Sequence, residues 1–520
     1  MNISYTEIND LHLSVYGISS FFDIVQLTVS NNLNSGAACT AVLVNSNSEW
    51  IDPYDAGNSV FYDGDSAIDY NTLIGKDCSV YLSANDNNTD LMFRGVIIGT
   101  AITKQTGANT FIDRVCVTIA PYINTLDTIP VASMSLVTVA AGVSIQKSDF
   151  MTMNERSLAQ HTDAGNGLMH INVAKFIQQI IDGVCFEDKE RTTHNMLIAG
   201  GSAGIGDVVD TSTCPEMSII PGADNKIAND ISNTVLSMLA QGHTYSSVFS
   251  SLCSIFYLAQ AVDLSTGKTK ILPDVGWRKK ASYTLGKEEI LSLQQSFYGK
   301  GRNEVDAVIV GFTEAGGDES TLDPSPEGRV VYGEGIGANK QPRAITDPKE
   351  LEDTSVSVPR KYITIMLPTW ISHFSQPVKE GSNREIQTVS DPQDPVCTSF
   401  DGASMYDNNQ IRWASAIARA TFAQLNRAKA TCAIHVPLEV YLKVAKYLGY
   451  IIKVEYPDTG SYGDALSGTF FYGRLAATNL DIIIGPQDIN IQCVLRLEHV
   501  RDEKTNDALG IEDCIYVDNW

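Results

Sequence analysis

The sequence predicts an α+β protein that is mainly β, with a β domain at each end, a helical middle domain and an inserted loop-rich subdomain. Three observations predict this arrangement. Short alternating or β-branched segments fill residues 21–123 and return after residue 430. Apolar residues recur at spacings of three and four between residues 172 and 262, which is the helical period. A long stretch rich in Pro, Gly, Asp and Ser separates the second and third blocks.

The composition is that of a globular protein with a strong acidic excess. The chain has 520 residues, of which 61 are acidic and 37 basic, so its formal net charge is -24. At about 100–200 residues per domain, this length predicts three or four domains. Such a charge repels a polyanion unless basic residues cluster on one face, and the sequence has only short basic groups such as RKK at 278–280.

The N-terminus and an internal apolar run are the two candidates for a targeting or membrane segment. Residues 1–17 lack a basic region and a continuous apolar run, and they include Glu7 and Asp10, unlike a signal peptide. The uncharged run between Asp127 and Lys147 is about long enough to cross a bilayer. Its Pro130 and its β-branched alternation favour buried strands, so we expect no stable membrane span.

The ten cysteines carry no metal-binding or redox pattern. They include no CxxC pair, and Cys493 and Cys514 are the two that lie closest in sequence. Most stand in apolar contexts, as Cys116 and Cys253 do. The pattern therefore predicts buried free thiols.

The first β block predicts an antiparallel barrel or a sandwich. Asn, Gly and Asp clusters separate its strand segments, which are DIVQLTVSN, CTAVLVN, CSVYLSA, LMFRGVIIGTAI and FIDRVCVTIAPYI.

The middle of the chain changes to the helical period. NVAKFIQQIIDGV and NKIANDISNTVLSMLAQG each place their apolar residues on one helical stripe, and Gly242 is positioned to end the second helix. Residues 246–262, SSVFSSLCSIFYLAQAV, are apolar nearly all round and predict a buried helix.

The β signal returns with EVDAVIVGFTEAGG and is then interrupted by the Pro- and Gly-rich stretch. Its length and its strand-like island RKYITIML favour an inserted subdomain over a linker. A helix follows, with an apolar stripe of Ile411, Ala414, Ala418, Phe422 and Leu425. The strand segments after it are TCAIHVPL, YIIKVEYP, GTFFYGRLAATNLDIII and NIQCVLRLEHV.

One stretch, LIAGGSAGIG at residues 197–206, looks like the phosphate-binding glycine loop of a short-chain dehydrogenase. Such a loop works between a strand and a helix whose N-terminus faces the pyrophosphate. The residues that follow, including Asp207, Asp210 and Pro215, have a turn composition and place negative charge where a phosphate would sit. We therefore predict a glycine-rich connector and no cofactor, and we expect substitutions of Gly204 and Gly206 to change assembly or loop order.

Metal and catalytic patterns are equally weak. The eight histidines are scattered, and the oxygen-rich stretches NDNNTD at 85–90 and YDGDS at 62–66 lack the spacing of an EF-hand loop. Solvated β-turns explain both stretches. The sequence thus predicts a protein that is not an enzyme, with no catalytic, cofactor-binding or metal-binding residues.

Several passages resemble phage baseplate hub proteins, a family shared with late control protein D and with VgrG of type VI secretion. Residues 72–126 contain a turn at Leu73 to Gly75, a Phe-x-Gly-Val strand around Gly95, and a Pro-containing turn at 120–122. Gly75 and Gly95 permit a bend or a close backbone approach at the corners of a small barrel. Residues 271–310 are similar to the passage into the family's second barrel, with NEVDAVIV as its first strand. Residues 422–500 resemble the C-terminal end of that barrel, which includes Gly449 and a hairpin at 467–468.

The resemblance implies two tube-like antiparallel β-barrel domains with a helical middle domain and an inserted loop-rich subdomain. The first tube-like barrel would span 1–125 and the mainly helical domain 126–300. The second barrel would combine 301–325 with 430–520, and 326–429 would hold the inserted subdomain and a connecting helix. The insert at about 326–408 has no counterpart in the family. The sequence ends at Trp520 without the OB-fold and needle of a VgrG, so we expect the spike to be a separate polypeptide.

The resemblance also implies a structural virion protein. Three chains would form a pseudo-sixfold ring that joins the hexameric tail tube to the trimeric central spike and lets DNA pass. The implied partners are two further copies in a homotrimer, the tail tube protein, the central spike protein and other baseplate proteins, with the tape measure protein as a further candidate. DNA would touch the lumen only transiently. The protein would be made in the host cytoplasm and located in the phage tail baseplate.

Two alternatives stay open at the level of sequence. One is an enzyme, either nucleotide-binding at residues 200–206 or degrading the cell wall through the insert. The other is a host-binding tail-tip protein that uses the insert as an exposed recognition module. The acidic charge fits a lumen that avoids phosphate, and solubility alone explains it equally well.

Overall fold

A computed structural model describes the two ends of the chain most fully and the middle in part. The described residues are 8–19, 21–44, 61–63, 66–68, 73–84, 89–106, 111–124, 169–172, 208–210, 212–214, 216–219, 244–273, 279–297, 305, 307–313, 327–333, 343–345, 361–367, 409–426, 430–457, 469–485 and 489–509. The structure is mainly β with a few helices, which confirms the predicted class.

The N-terminal part is a closed six-stranded antiparallel barrel. Its strands are β1 (Ile8–Val15), β2 (Phe22–Asn32), β3 (Gly36–Val44), β6 (Asp77–Ala84), β7 (Thr89–Thr106) and β8 (Phe111–Ala120). The order is β1-β6-β7-β8-β3-β2, and β2 pairs back with β1, which closes the barrel. This closure decides between the two predicted forms, barrel and sandwich. A small hairpin of β4 (Phe61–Asp63) and β5 (Ser66–Ile68) lies between β3 and β6, and YDGDS is its tip.

Two glycines act in this barrel as the sequence predicts. Gly75 has a φ of 84°, a conformation that favours glycine, in the turn before β6. Gly95 lies so close to Ala120 that a Cβ at this position would collide with the Ala120 carbonyl oxygen. The corner of the barrel therefore depends on the missing side chain of Gly95.

A second group of six strands forms the C-terminal barrel. These strands are β14 (Tyr283–Leu285), β15 (Ser292–Phe297), β20 (Ala430–His435), β21 (Ile451–Glu455), β22 (Phe470–Ile484) and β23 (Ile489–Asp502). Their order is β14-β21-β22-β23-β20-β15. No ladder joins β14 to β15 in the described residues; instead the Gln295 Nε2 donates to the Tyr456 hydroxyl at 3.1 Å. The predicted hairpin at 467–468 lies outside the described residues.

The two barrels are joined by a direct ladder and share one core. β2 pairs antiparallel with β22 from Gln26↔Ile483 to Asn32↔Ala477. Buried residues of both barrels form one continuous hydrophobic cluster, which also includes Leu272. The barrels are therefore two halves of one packed unit.

The inserted subdomain lies between two neighbouring strands of the second barrel. It comprises a four-stranded sheet and a helix, namely β16 (Ala307–Thr313), β17 (Glu327–Gly333), β18 (Arg343–Ile345), β19 (Tyr362–Met366) and α2 (Asn409–Asn426). The helix packs on the sheet, with the Tyr332 and Phe422 rings 5.2 Å apart. At its base, the Val305 N–H donates to Asn426 Oδ1 at 2.9 Å, and Asn426 Nδ2 donates to the Val305 carbonyl at 2.8 Å.

This arrangement corrects the predicted boundaries of the second barrel. The sequence assigns residues 301–325 to that barrel, yet β16 pairs with β17 and β19 inside the insert. β14 and β15, within the predicted middle domain, are the strands that join the barrel instead. Both faces of β16 are buried, so its apolar sequence is equally suited to either sheet.

The middle of the chain differs from the helical prediction in its described residues. They contain α1 (Tyr245–Ile255) and the strands β9 (Met169–Asn172), β10 (Val209–Asp210), β11 (Glu216–Ile219), β12 (Leu258–Val262) and β13 (Thr269–Pro273). The predicted helix over 246–262 ends early because Tyr257 has a φ of 53°, after which β12 pairs with β13. The helical stripes predicted near 173–184 and 227–239 lie outside the described residues.

The β12–β13 hairpin docks on the first barrel. The buried Asn31 side chain donates to the Val262 carbonyl at 2.8 Å, and Asn34 exchanges two bonds of 2.8 Å with the Gln260 backbone. Further along, the Arg94 N–H donates to the Leu264 carbonyl at 2.8 Å. These contacts close one end of the barrel.

Short helices complete the C-terminal part. They are α3 (Leu438–Val444) and α4 (Glu503–Asp507), with 3₁₀ turns at Lys287–Glu289 and Ala445–Tyr447. Across the described ranges, no helix has the length and apolar character that a membrane span requires.

Replacing Gly95 by Ala should destabilise the first barrel by about 1–3 kcal/mol, because the added methyl group overpacks the corner against Ala120. Gly99→Ala on the same strand is the matched control, since a Cβ there meets nothing within 4 Å. Urea unfolding followed by circular dichroism measures both. Equal midpoints for the two variants would show that the corner does not need a glycine.

Candidate functional site

The glycine-rich stretch at 197–206 lies outside the described residues, but the chain that follows it is described. Val209 and Asp210 form the short strand β10, which pairs with β13. Asp210 Oδ1 then accepts the Ser212 N–H at 2.9 Å, and Thr213 donates to the Ile271 carbonyl at 2.8 Å. Residues 209–214 therefore form a strand and a turn, whereas Val208 before them is helical, and the glycine-rich connector itself stays a prediction.

The same stretch also reads Gly-x-Ser-x-Gly over residues 200–204, the pattern of a hydrolase nucleophile elbow. An elbow places its serine on a sharp turn from a strand into a helix. The pattern itself lies outside the described residues, and Val208, the first described residue after it, is helical. The hydrolase alternative therefore stays untested.

The described thiols are free and mostly buried, as predicted. Cys39, Cys78, Cys214, Cys253, Cys432 and Cys493 are buried, and Cys116 is half-buried. Burial raises the pKa of Cys432 and of Cys493 to about 12. Both thiols are therefore protonated at neutral pH, and a protonated thiol is a poor nucleophile.

The described residues offer few groups that could bind a metal ion or a small molecule. They contain no group of three or more His, Cys, Asp or Glu side chains that could hold a metal ion. A cleft of about 120 Å³ lies between β7, the β12–β13 hairpin and α3. Its volume is well below the roughly 300–1,000 Å³ of typical ligand pockets.

The outer face of an eight-stranded antiparallel sheet forms one continuous surface of the described chain, which we call the wall. Its order is β7-β8-β3-β2-β22-β23-β20-β15. The first barrel supplies the first four strands and the second barrel the last four. The two sets meet at the β2–β22 ladder, so the wall crosses from one barrel to the other without a break.

Cross-strand pairing aligns the outer side chains of the wall in four rows. The first row is Ala101, Cys116, Val42, Gln26, Ile483 and Asn490. The second is Gly99, Thr118, Thr40, Thr28, Asp481 and Gln492. The third is Ala38, Ser30, Asn479, Val494, His435 and Ser292. The fourth is Gly36, Asn32, Ala477, Arg496, Ala433 and Gln294.

These rows are polar but carry almost no charge. Within the four rows, Asp481 and Arg496 are the only carboxylate and guanidinium, and Glu498 follows on β23 beyond the fourth row. Their opposite charges cancel, whereas the chain as a whole has a net charge of -24. Most wall side chains are small and half-buried or exposed. The acidic excess of the protein is therefore located elsewhere.

An ion pair lies at the margin of the wall, beyond the fourth row. Below the fourth row, Arg474 Nη2 lies 3.4 Å from Glu498 Oε2. Glu498 is half exposed, and Arg474 is buried. This ion pair lies where β22 pairs with β21 and no longer with β2. The neutral area thus ends where the barrel-to-barrel junction ends.

The opposite face of the same sheet is the hydrophobic core. Strand alternation sends one set of side chains to the wall and the other inward. The inward set is fully or almost fully buried and includes Leu27, Val29, Val117, Leu480 and Leu495. On β2, β3 and β22, each wall side chain therefore has a buried neighbour on at least one side of it in sequence.

Buried polar contacts hold the junction between the barrels at one end. Asn31 and Thr478 are cross-strand partners in the β2–β22 ladder, and both are fully buried. Asn31 donates to the Val262 carbonyl, and the Tyr441 hydroxyl lies 3.5 Å from Thr478 Oγ1. Satisfying such groups favours one register, since a one-residue slip would expose the core face.

A second polar cluster, of Tyr122, Asp77 and Arg94, connects the first barrel to the turn of the β12–β13 hairpin. The Tyr122 hydroxyl donates to Asp77 Oδ1 at 2.6 Å, and Arg94 Nη2 lies 3.1 Å from Asp77 Oδ2. Burial and the bond to Asp77 raise the pKa of Tyr122 above its usual value. The Tyr122 N–H also donates to the Gly267 carbonyl at 3.2 Å. The cluster has a structural explanation, because it ties the β12–β13 turn to the barrel.

The sequence predicts seven of the eight strands of the wall, all but β15, but not the wall itself. Alternation in DIVQLTVSN and NIQCVLRLEHV shows which residues share a face. It does not show that β2 and β22, about 450 residues apart, are neighbours. A low density of charge on the polar faces of these strands is the signal that was available.

No protein-family model and no curated protein matches the sequence. Among solved structures, the chain is similar to the 43 kDa tail protein of prophage MuSo2 from Shewanella oneidensis, at 8% identity and a TM-score of 0.39, over 97% of this chain and 100% of that one. It is similar to a tail protein from Neisseria meningitidis at 10% identity and a TM-score of 0.40, over 96% of this chain and 98% of that one.

A component of the type VI secretion system from Escherichia coli is also similar, at 9% identity and a TM-score of 0.35, over 94% of this chain and 76% of that one. At such TM-scores, neither the fold nor the function is inferred from these proteins. The solved structures to which the chain is similar are thus phage tail proteins and a type VI secretion component.

Proposed function

We propose that this protein is a baseplate hub, a structural protein of the phage tail whose copies form a trimeric pseudo-sixfold ring. The observation that carries the proposal is the wall, to which two six-stranded barrels contribute four strands each. A chain with two six-stranded barrels presents six of them when three copies assemble. This match would let a trimer join a hexameric tail tube to a trimeric spike.

The wall is the surface of this ring that faces the channel. DNA carries one negative charge per phosphate, so basic residues on a channel wall would bind it and slow its passage. The four rows of the wall hold one aspartate, in the second row, and one arginine, in the fourth, among otherwise neutral side chains. A neutral wall neither holds the phosphates nor repels them over its length, which suits transient passage.

Under this proposal, the acidic excess of the chain has a role outside the channel. An acidic lumen and solubility explain the charge of the sequence equally well. The neutral wall favours solubility, or contacts with other baseplate proteins, as the role of the acidic residues. The proposed partners are the tail tube protein, the central spike protein, other baseplate proteins and the tape measure protein, and the proposed location is the virion.

The purified protein should form a trimer with a central opening. Light scattering measures the mass in solution, and negative-stain images show whether the particle is a ring. The expected mass is three times that of the chain, which is 56.5 kDa. A monomer at every accessible concentration, with no ring in the images, would overturn the proposal.

Lysines on the wall should give the ring an affinity for duplex DNA. The triple variant Thr118→Lys, Thr28→Lys, Gln492→Lys places three ammonium groups on alternate strands of the second row. We expect the ring to bind DNA with an affinity that falls with salt, because about one counterion is released per phosphate neutralised. Genome ejection should be slower, since the added lysines would bind the DNA in the channel.

The matched control carries the same added charge outside the wall. Ser250, Ser282 and Thr284 are exposed and belong to none of the four rows, so their replacement by Lys should leave ejection unchanged. Equal ejection rates for the two triple variants would contradict the assignment of the wall to the channel.

Removal of the insert should leave the ring intact. Phe297 and Ala430 are the last cross-strand partners before the insert, so an Asn-Gly turn can replace residues 298–429. A hub predicts an unchanged trimer. A host-binding protein that uses the insert predicts loss of adsorption, which is measured on whole phage.

A second deletion tests the boundaries. Removing only residues 326–408 takes away β17, β18 and β19, so β16 loses both its ladder partners and α2 keeps only β16 to pack on. Val308, Val310 and Ile417 would lose their cover, so this variant should aggregate. A trimer from the short deletion together with aggregation of the long one would contradict the observed domain boundary.

A further inference from the structure

A row of apolar and aromatic side chains crosses the first barrel away from the wall. Leu91 of β7 pairs with Tyr81 of β6, and Tyr81 pairs with His12 of β1, so the three side chains lie side by side on one face. The rings of His12 and Tyr81 stack with their centroids 5.3 Å apart, and the ring of Phe21 lies 4.6 Å from that of His12. We call Leu91, Tyr81, His12 and Phe21 the strip.

The strip lies on the outer face of the barrel and is open to solvent. Leu13 and Val80, which follow His12 and precede Tyr81 in sequence, are fully buried, so alternation directs the strip outward. Phe21 is 64% exposed, and the other members of the strip are half-buried. Contiguous apolar groups on an outer surface are typical of an interaction site.

The strip leads into the cleft between β7, the β12–β13 hairpin and α3. Leu91 belongs to both, and Leu264, Leu442 and Ala445 are among the other residues that line the cleft. Its volume of about 120 Å³ is at least four times the roughly 30 Å³ that one water molecule occupies in the liquid. The cleft can therefore hold one apolar side chain of leucine size, which is how an anchor residue binds at an interface.

The cleft end of the strip is positively charged. Lys446 lines the cleft and is exposed. The carboxylate of Asp263, which also lines it, is already engaged, because it pairs with Lys270 at 2.6 Å and accepts the N–H and the hydroxyl of Ser265. The charge that stays available to a partner at this end is thus that of an ammonium group.

The opposite end of the strip is negatively charged. Asp23 is the cross-strand partner of His12 and is exposed, and Asp10 lies two residues before His12 on the same face. Asp10 Oδ2 lies 2.7 Å from His12 Nδ1, and the Asp10 side chain is 49% exposed. Asp90 does not alter this division, because its cross-strand partner Leu82 is buried, so Asp90 belongs to the other face of the strands.

From these observations we infer that the strip and the cleft bind an extended segment of another baseplate protein. The segment seats an apolar side chain in the cleft and an aromatic side chain against Phe21, with acidic residues at the cleft end and basic residues at the Phe21 end. No residue of the strip or the cleft belongs to the four rows of the wall, so the segment binds outside the channel. The inference rests on the proposed function for the class of partner.

The dimensions of the strip set the spacing of the two anchors. Three steps of about 5 Å separate Leu91 from Phe21, so the strip is roughly 15 Å long. In an extended chain, residues i and i+4 share a face and lie about 13 Å apart. The two anchors of the segment are therefore four residues apart.

Two synthetic peptides of equal composition test the inference. One reads Glu-Glu-Leu-Thr-Val-Thr-Phe-Lys-Lys and the other Lys-Lys-Leu-Thr-Val-Thr-Phe-Glu-Glu, both acetylated and amidated so that the termini carry no charge. Fluorescence polarisation of the labelled peptides measures their affinity for the full-length protein. We expect the first peptide to bind roughly tenfold more tightly than the second, and an alanine in place of its leucine to weaken binding.

Variants of the protein locate the binding. Phe21→Ala should weaken binding of the first peptide at least fivefold or thereabouts, as loss of a contact residue does. Tyr16→Ala is the matched control, because Tyr16 is an exposed aromatic residue, at 58%, that lies outside the strip. The double variant Asp23→Lys, Lys446→Glu exchanges the charges of the two ends and should prefer the second peptide. Both of its residues are exposed, so its melting temperature should match that of the wild type.

The outcomes separate the inference from the proposed function. No binding of either peptide, equal binding of both, or an unchanged preference in the double variant would overturn the inference. Wild-type assemblies larger than a trimer that Phe21→Ala reduces to trimers would show that a second copy covers the strip, and would also overturn it. A protein that binds the peptides as expected but forms no ring in light scattering would overturn the hub and leave the peptide site standing.

Discussion

The antiparallel ladder between β2 and β22 is the interaction on which the rest of the structure depends. It joins the second strand of the chain to a strand about 450 residues later. Through it, two barrels share one core and one outer sheet. Without this ladder, both strands would be exposed edges, and the wall would fall into two narrow sheets. Asn31 and Thr478 lie fully buried within the ladder, and a shift of register would break the hydrogen bond from Asn31 Nδ2 to the Val262 carbonyl.

The wall shows how an acidic protein can present a neutral surface. Alternation along each strand separates the side chains of the core from those of the wall, so the wall can be neutral without any cost to the core. Thr, Ser, Asn and Gln dominate its rows. Such side chains remain hydrated yet hold no phosphate strongly, since tight phosphate binding depends on Lys and Arg. The charge of the chain is thereby separated from the surface proposed to meet DNA.

The insert illustrates how a subdomain is accommodated inside a barrel. It replaces the turn between β15 and β20, which are adjacent strands, so the barrel needs only that its two ends stay close together. The double hydrogen bond between Val305 and Asn426 provides this closeness at the base of the insert. Helix α2 supplies the apolar cover of the four-stranded sheet, with Trp413 and Ile417 fully buried. The subdomain thus has its own core and does not draw on that of the barrels.

The sequence by itself determined the local elements and two of the corners. Alternation located β2, β3, β6, β7 and β8 and most strands after residue 430, and glycine at 75 and 95 indicated the bends, because these signals depend on neighbours in the chain. The strand β1, the end of the helix at Tyr257, and the assignment of β16 to the insert were decided only by the tertiary structure. An apolar strand fits any sheet that buries both its faces, and its sequence does not specify which. For the same reason the sequence did not predict the wall. A surface built from strands at both ends of the chain exists only once β2 and β22 pair.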